Sequence, residues 1–172
     1  MTLTAGLTKS CAARSGGVKT LWLADVASVT SFTLTGDLYS AVTMNGGAVF
    51  YKYEFEQDKA EMKENDVVNE NKSIVVTHNV DFTIGGWTQA IRENIQEILD
   101  SSICGVIAIA ETQQGDMFVM GYSENFIAER GMFVSNGDSS TGLAFGDAIE
   151  HVITLESTDN EKARTYTGTV PV

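Results

Sequence analysis

The sequence predicts a mainly β domain of the α+β class: two packed antiparallel sheets, or a barrel, with one flanking α-helix. Three observations predict it. Short runs of alternating apolar and polar residues recur between glycine- and asparagine-containing turns, the mark of half-buried strands. Only one segment carries an apolar stripe of helical period. The chain has 172 residues, 43% of them hydrophobic and 20% charged, which suits one globular domain over 1–172.

The elements follow in order. After Ser15-Gly16-Gly17, residues 18–23 read as a first strand. Segments 28–35 and 38–44 flank Gly36-Asp37, a two-residue connection suited to a hairpin, and Asn45-Gly46-Gly47 is a further turn. From 49 to 56, Val49, Tyr51, Tyr53 and Phe55 share one face and Phe50, Lys52, Glu54 and Glu56 the other. From 74 to 84, Ile74, Val76, His78, Val80, Phe82 and Ile84 alternate with Val75, Thr77, Asn79, Asp81 and Thr83. Such a strand reaches roughly 35 Å at ~3.3 Å per residue.

Between these strands lies a polar stretch, 57–72. From Glu54 to Glu70, the seven acidic residues Glu54, Glu56, Asp58, Glu61, Glu64, Asp66 and Glu70 stand against only Lys59 and Lys63. It reads either as a solvated loop or as part of an extended arm over 50–83 that pairs with a neighbouring subunit. The arm reading makes Glu56, Asp58, Lys59, Glu61, Lys63, Glu64 and Asp66 candidate inter-subunit contacts.

Trp87, Ile91, Ile95 and Ile98 recur at steps of four, four and three, with Leu99 alongside and Gln89, Arg92, Glu93, Gln96 and Glu97 opposite. A helix over 87–101 follows, with Thr88 as N-cap and Asp100-Ser101-Ser102 as its end. A single stripe implies packing against a sheet. Segment 104–110 is apolar on both faces and reads as a central strand, joined by a hairpin at 113–116 to a strand over 117–122. Segment 125–134 has no clear pattern, and 136–147 is polar and glycine-rich. Ile149, His151, Ile153 and Leu155 alternate with Glu150, Val152, Thr154 and Glu156, and 164–168 suits a last strand beyond a turn at 157–161.

Charge narrows the function. Eleven Lys and Arg against 23 Asp and Glu give a formal charge of −12. That balance opposes nucleic-acid reading and attachment to anionic membranes. Lys9, Arg14 and Lys19 are the only charges before Asp25, so residues 1–24 carry +3 and the rest −15. They form a candidate basic N-terminal contact for a neighbouring copy. Cys11 and Cys104 lie too far apart in sequence to suggest a disulfide framework. No signal-peptide pattern and no apolar run of membrane-spanning length is found, which points to synthesis in a reducing cytoplasm.

Catalytic patterns are missing. His78 and His151 fall on the apolar faces of their strands, the usual place of a hydrogen-bonded core histidine; if they met they would form a metal pair without a third ligand. No HExxH, CxxC, EF-hand, GxSxG or phosphate-loop pattern occurs. Ser10-Cys11 has no histidine nearby, and Glu54 and Glu56 share a solvent-facing strand face. Residues 136–140 offer oxygen ligands for Ca²⁺ but read better as an Asx-rich turn. The expectation is a binding or assembly module with no catalytic residue, no metal and no cofactor. A small acidic hydrolase using Glu54, Asp138 or His151 is the competing reading.

The ordered features carry a resemblance. Gly16-Gly17-Val18-Lys19 leads into Leu21-Trp22-Leu23-Ala24-Asp25, and Val49-Phe50-Tyr51-Lys52-Tyr53-Glu54-Phe55 precedes the acidic stretch, a long strand and the helix. A hairpin bearing Gly115 and Gly121 follows, and Thr141-Gly142-Leu143-Ala144-Phe145-Gly146-Asp147 opens a late strand. Over residues 4–168 this resembles small virion proteins of tailed bacteriophages, particularly those infecting gut Bacteroidetes. The body plan is similar to that of phage tail tube and neck-ring proteins and their secretion-system relatives.

The resemblance implies a homo-oligomeric closed ring, six-fold or a multiple, with sheets continuing between subunits around a lumen. It implies an extended hairpin or loop reaching the adjacent ring, with 50–82 the best candidate, and other tail, neck or portal proteins as partners. It further implies an acidic channel through which genomic DNA passes without specific binding, and a place in the phage tail or neck after synthesis in the bacterial cytoplasm. A capsid decoration, stopper or collar protein of the same virion is the alternative.

Overall fold

The computed structural model describes residues 15–56 and 58–172. Eleven strands and one α-helix form two sheets. The strands are β1 (Val18–Asp25), β2 (Val29–Thr35), β3 (Leu38–Met44), β4 (Tyr51–Glu54), β5 (Ala60–Val68), β6 (Ile74–Gly85), β7 (Val106–Thr112), β8 (Met117–Met120), β9 (Phe133–Ser140), β10 (Glu150–Asp159) and β11 (Arg164–Tyr166). The helix α1 spans Gln89–Cys104. The large sheet has the order β2-β3-β11-β8-β7-β1-β4 and the small one β5-β6-β10-β9. Neither closes into a barrel among the described residues, so the architecture is two packed sheets with a flanking helix.

The main core lies between the sheets. Leu21, Leu23, Ala108, Ala110 and Met120 of the large sheet meet Val80, Phe82, Ile153 and Leu155 of the small one, and Ile95 and Ile98 of α1 close the end. A second core forms on the opposite face of the large sheet. Ala24, Ile107, Ile109 and Val119 pack there against Phe32, Tyr39 and Tyr166. The large sheet curls, so that β2 and β3 fold back over the face opposite the small sheet. This explains why 106–110 is apolar at every position: each face has its own core. Phe50, on the polar face of its segment in the sequence reading, is buried in the second core, and its N–H donates to the Pro171 carbonyl at 2.8 Å.

Thr88 is the N-cap of α1, its Oγ1 accepting the Ile91 N–H at 3.3 Å. The helix does not stop at 100–102. Ser102 is buried and its hydroxyl donates to the Leu99 carbonyl at 2.7 Å, so the turn continues to Cys104. Gly105 ends it, with φ 96°, which favours glycine. Trp87 lies before the N-cap, outside the stripe to which its spacing assigns it. The strand expected from Cys104 begins at Val106, and Cys104 is exposed at the helix end.

The polar segment 136–140 is a strand, not a turn. It forms most of β9 and pairs antiparallel with β10 from Ser140↔Glu150 to Phe133↔Glu156. β10 runs on to Asp159, so the turn expected at 157–161 starts later. At Gly121, φ is 79° and a Cβ would lie 2.6 Å from the Val106 carbonyl oxygen, against the bridge between Val106 and Met132.

Candidate functional site

The small sheet is the chemically distinctive surface. Along β6, Val76, His78, Val80 and Phe82 are buried, and along β10, His151, Ile153, Leu155 and Ser157 are buried. Side chains between them face away from the core. Cross-strand neighbours share a face, so the register assembles an outer surface of Glu61 opposite Asp81, Asp81 opposite Thr154, Asp138 opposite Val152, and Glu156 opposite Asn79. Among the described residues, five carboxylates (Glu61, Asp81, Asp138, Glu150, Glu156) and two lysines (Lys59, Lys63) occupy this face or its margin.

The lysines are committed to carboxylates. Lys63 Nζ lies 2.6 Å from Glu61 and 2.9 Å from Asp81, and these hydrogen bonds raise its pKa. Lys59 pairs with Glu150. Burial pushes the Asp81 carboxyl up, but hydrogen bonds from the Thr154 hydroxyl, at 2.6 Å, and from Lys63 outweigh it and hold the group below the usual carboxylate range. Net charge on the face remains negative.

The polar stretch is not a free loop. β5 pairs with β6 from Ala60↔Phe82 to Val68↔Ile74, forming a hairpin that is one margin of the sheet. Strand alternation then splits the candidate contacts. Glu61 and Lys63 face outward, whereas Glu64 and Asp66 turn to the side covered by the β10–β11 connection. There Glu64 accepts the Ala163 N–H at 2.7 Å and lies 3.5 Å from His78 Nε2, and Lys162 reaches Asp66 at 2.8 Å. Glu56 and Asp58 are exposed in the crossing between sheets. Residues 67–75 project past β10, whose last pair with β6 is Asp159↔Val76, and expose Val67, Val68 and Ile74. Lys19 lies on β1, 3.3 Å from Glu111; Lys9 and Arg14 lie outside the described residues.

The histidines are kept apart. His78 pairs with Ser157 and His151 with Ile84, six positions along the ladder, or about 20 Å. His78 Nε2 donates to the Glu161 carbonyl at 3.1 Å. His151 Nε2 donates to the Gly86 carbonyl at 3.0 Å, which leaves Nδ1 to accept the Ser139 hydroxyl at 2.7 Å. Trp87 stacks on the same ring at 4.5 Å. This latch ties the β9 margin to the approach to α1. The sequence marks His151 as a core histidine but gives no sign of its partners.

Glu54, Asp138 and His151 do not converge. Glu54 is on the large sheet, Asp138 faces outward from the small one, and His151 points inward. Lys52, 2.6 Å from Glu54, donates to that carboxylate and holds it below its usual range, the opposite of what a general acid needs. Among the described residues, no three His, Cys, Asp or Glu side chains are grouped to hold a metal ion. No described helix is long and apolar enough to cross a membrane.

The glycine-rich segment read as leading into a late strand forms the loop 141–148, at the end of the small sheet opposite the hairpin tip. The Asp147 carboxylate accepts the Leu143 and Ala144 N–H groups at 2.8 and 2.7 Å, and these bonds lower its pKa. The self-capped loop holds Leu143 and Phe145 fully in solvent. Comparison with known proteins yields no match: no family model fits the chain, and no curated protein and no solved structure matches it.

Proposed function

We propose that the chain is a non-enzymatic structural subunit of a phage tail or neck, whose copies join into a ring or tube with an acidic channel for DNA. The observation that carries the reading is the parity of the small sheet. It has four strands, each antiparallel to the next, so its margins β5 and β9 run in opposite directions. β9 of one copy therefore meets β5 of the next as an antiparallel pair. Repeating that head-to-tail contact with a closing rotation makes a ring and leaves the small sheet no unpaired margin.

Two further features support it. Were the outer face of the small sheet turned to the lumen, its carboxylate excess would repel the DNA backbone and keep passing DNA from sticking. The exposed apolar residues lie at opposite ends of that sheet, Val67, Val68 and Ile74 at one and Leu143 and Phe145 at the other. Exposed apolar groups at two poles suit contacts between stacked rings.

The test is size and shape of the purified protein by light scattering and negative-stain electron microscopy, with a proline introduced in the β9 margin by Asp138→Pro. Wild type is expected to form rings, and the variant to stay monomeric with its circular dichroism spectrum retained. A wild-type protein that is monomeric alone and with its virion neighbours would overturn the reading.

A further inference from the structure

A groove with an apolar floor and a polar rim of Asp25, Asn94, Glu97 and Ser101 lies at the Asp25 end of β1. Leu23, Ala24, Ile98 and Val106 line it, Tyr51 and Tyr53 stand over it, and its volume is about 500 Å³. Tyr51 is 66% exposed, unusual for so large a side chain beside an apolar floor. A second groove of about 470 Å³ continues it, sharing Asp25 and Ser101 and running past Asp100 to Cys104. The combined trough carries the carboxylates of Asp25, Glu97 and Asp100 and no Lys, Arg or His. Burial, together with the negative charges of Glu97 and Asp25, raises the pKa of the Tyr53 hydroxyl.

The chain contains one stretch of matching chemistry. Residues 1–14 hold Lys9 and Arg14, no acid, and the apolar Met1, Leu3 and Leu7. We propose that this trough receives residues 1–14 of a second copy. The occupant comes from another copy because of reach. The segment enters the described structure at Ser15, by the Val18 end of β1, and the trough is at the other end, about 23 Å away at ~3.3 Å per residue. Arg14 adjoins Ser15 and cannot cover that distance. Lys9, six residues before Ser15, spans at most about 22 Å of fully extended backbone, so only a fully stretched segment brings its ammonium to the trough. A single copy therefore cannot bring both charges to its own trough.

The neighbour follows from the ring reading, on which this choice of neighbour rests. The segment leaves beside β5, where Gly17 sits against the Ala60 carbonyl. In the ring, β5 lies next to β9 of the adjoining copy. α1 packs against β9 in its own copy through the face that carries Ile95 and Leu99, and Asn94, Glu97 and Ser101 of its opposite face wall the trough. The segment thus crosses the subunit boundary, rounds α1 and adds a second, electrostatic contact to the strand contact.

Cysteine chemistry tests this on the full chain. Cys11 is native to the segment. Ser101→Cys puts a thiol in the trough, and Cys104→Ser removes the adjacent one. Mild oxidation with copper phenanthroline is expected to give covalent dimers and higher multiples on non-reducing gels. Lys9→Glu with Arg14→Glu is expected to cut the yield at least tenfold with an unchanged circular dichroism spectrum, and adding Asp25→Lys with Glu97→Lys to restore it. The yield is expected to fall between 0.05 and 0.5 M salt as charges are screened. A disulfide confined to single chains, or none, overturns the proposal. Rings without intermolecular crosslinks overturn this proposal and leave the ring reading standing. Crosslinks without rings support docking between copies and overturn the ring reading alone.

Discussion

The two sheets use their faces differently. The large sheet buries both, with Leu21 and Ala108 toward the small sheet and Ile107 and Ile109 toward Phe32 and Tyr39. The small sheet buries one face and gives the other to Glu61, Lys63, Asp81, Glu150 and Glu156. One is a scaffold with little surface to vary, and the other presents a charged wall. The contrast places the constraint of folding in the first and the freedom for partner chemistry in the second, since exposed positions change at small cost in stability.

The sharpest way to break this comparison is to open both cores. Phe82→Ala in the core between the sheets and Phe32→Ala in the second core are each expected to cost about 3–5 kcal/mol, read from denaturant midpoints. A loss below ~1 kcal/mol for Phe32→Ala would demote the second cluster to surface packing. The helix sharpens the same point. Ile95→Ala is expected to cost about 2–5 kcal/mol and Gln96→Ala to stay within ~0.5 kcal/mol, because Ile95 is buried and Gln96 only reaches Asp100 in solvent. Equal effects would refute the assigned face.

Thr88→Ala removes the side-chain cap and is expected to cost about 1 kcal/mol in thermal or denaturant unfolding. The smallest effect belongs to the charged wall. Hydrogen bonds hold the Asp81 carboxyl below its ordinary range, so its stabilisation is complete above the unfolded value near 4 and is lost as pH falls through the lower folded value. Asp81→Asn is expected to flatten the acid limb of a melting-temperature profile and leave the neutral region nearly unchanged. An acid limb as steep as wild type would show that the outer face contributes nothing to acid stability.

The alternation from 74 to 84 was legible because a strand with one wet face repeats with period two. The cap at Thr88 was legible because capping is local. β9 was not. It is a margin strand exposed along most of its length, so Asn136, Gly137 and Asp138 carry no alternation and read as a turn. Trp87 was misplaced for the opposite reason: its spacing fits a helical stripe, but its ring is stacked on His151, 64 residues away in sequence. Glu64 and Asp66 read as solvated charges, yet the β10–β11 connection returns to engage them. Of the candidate site, the acidic excess was visible in composition, whereas its division between an outer wall and a clasp on the β10–β11 connection depends on register.

By itself the sequence determined a mainly β domain with one helix, the buried faces of β6 and β10 and the acidic balance, because these follow from local periodicity and counting. The tertiary structure decided which strands are neighbours. Pairing between distant segments, such as β1 with β7 and β6 with β10, leaves no short-range signal, yet it gives the large sheet two cores and leaves β5 and β9 as margins. Local conformational preference acts over a few residues, whereas the choice of partner strand is made by the burial of whole faces.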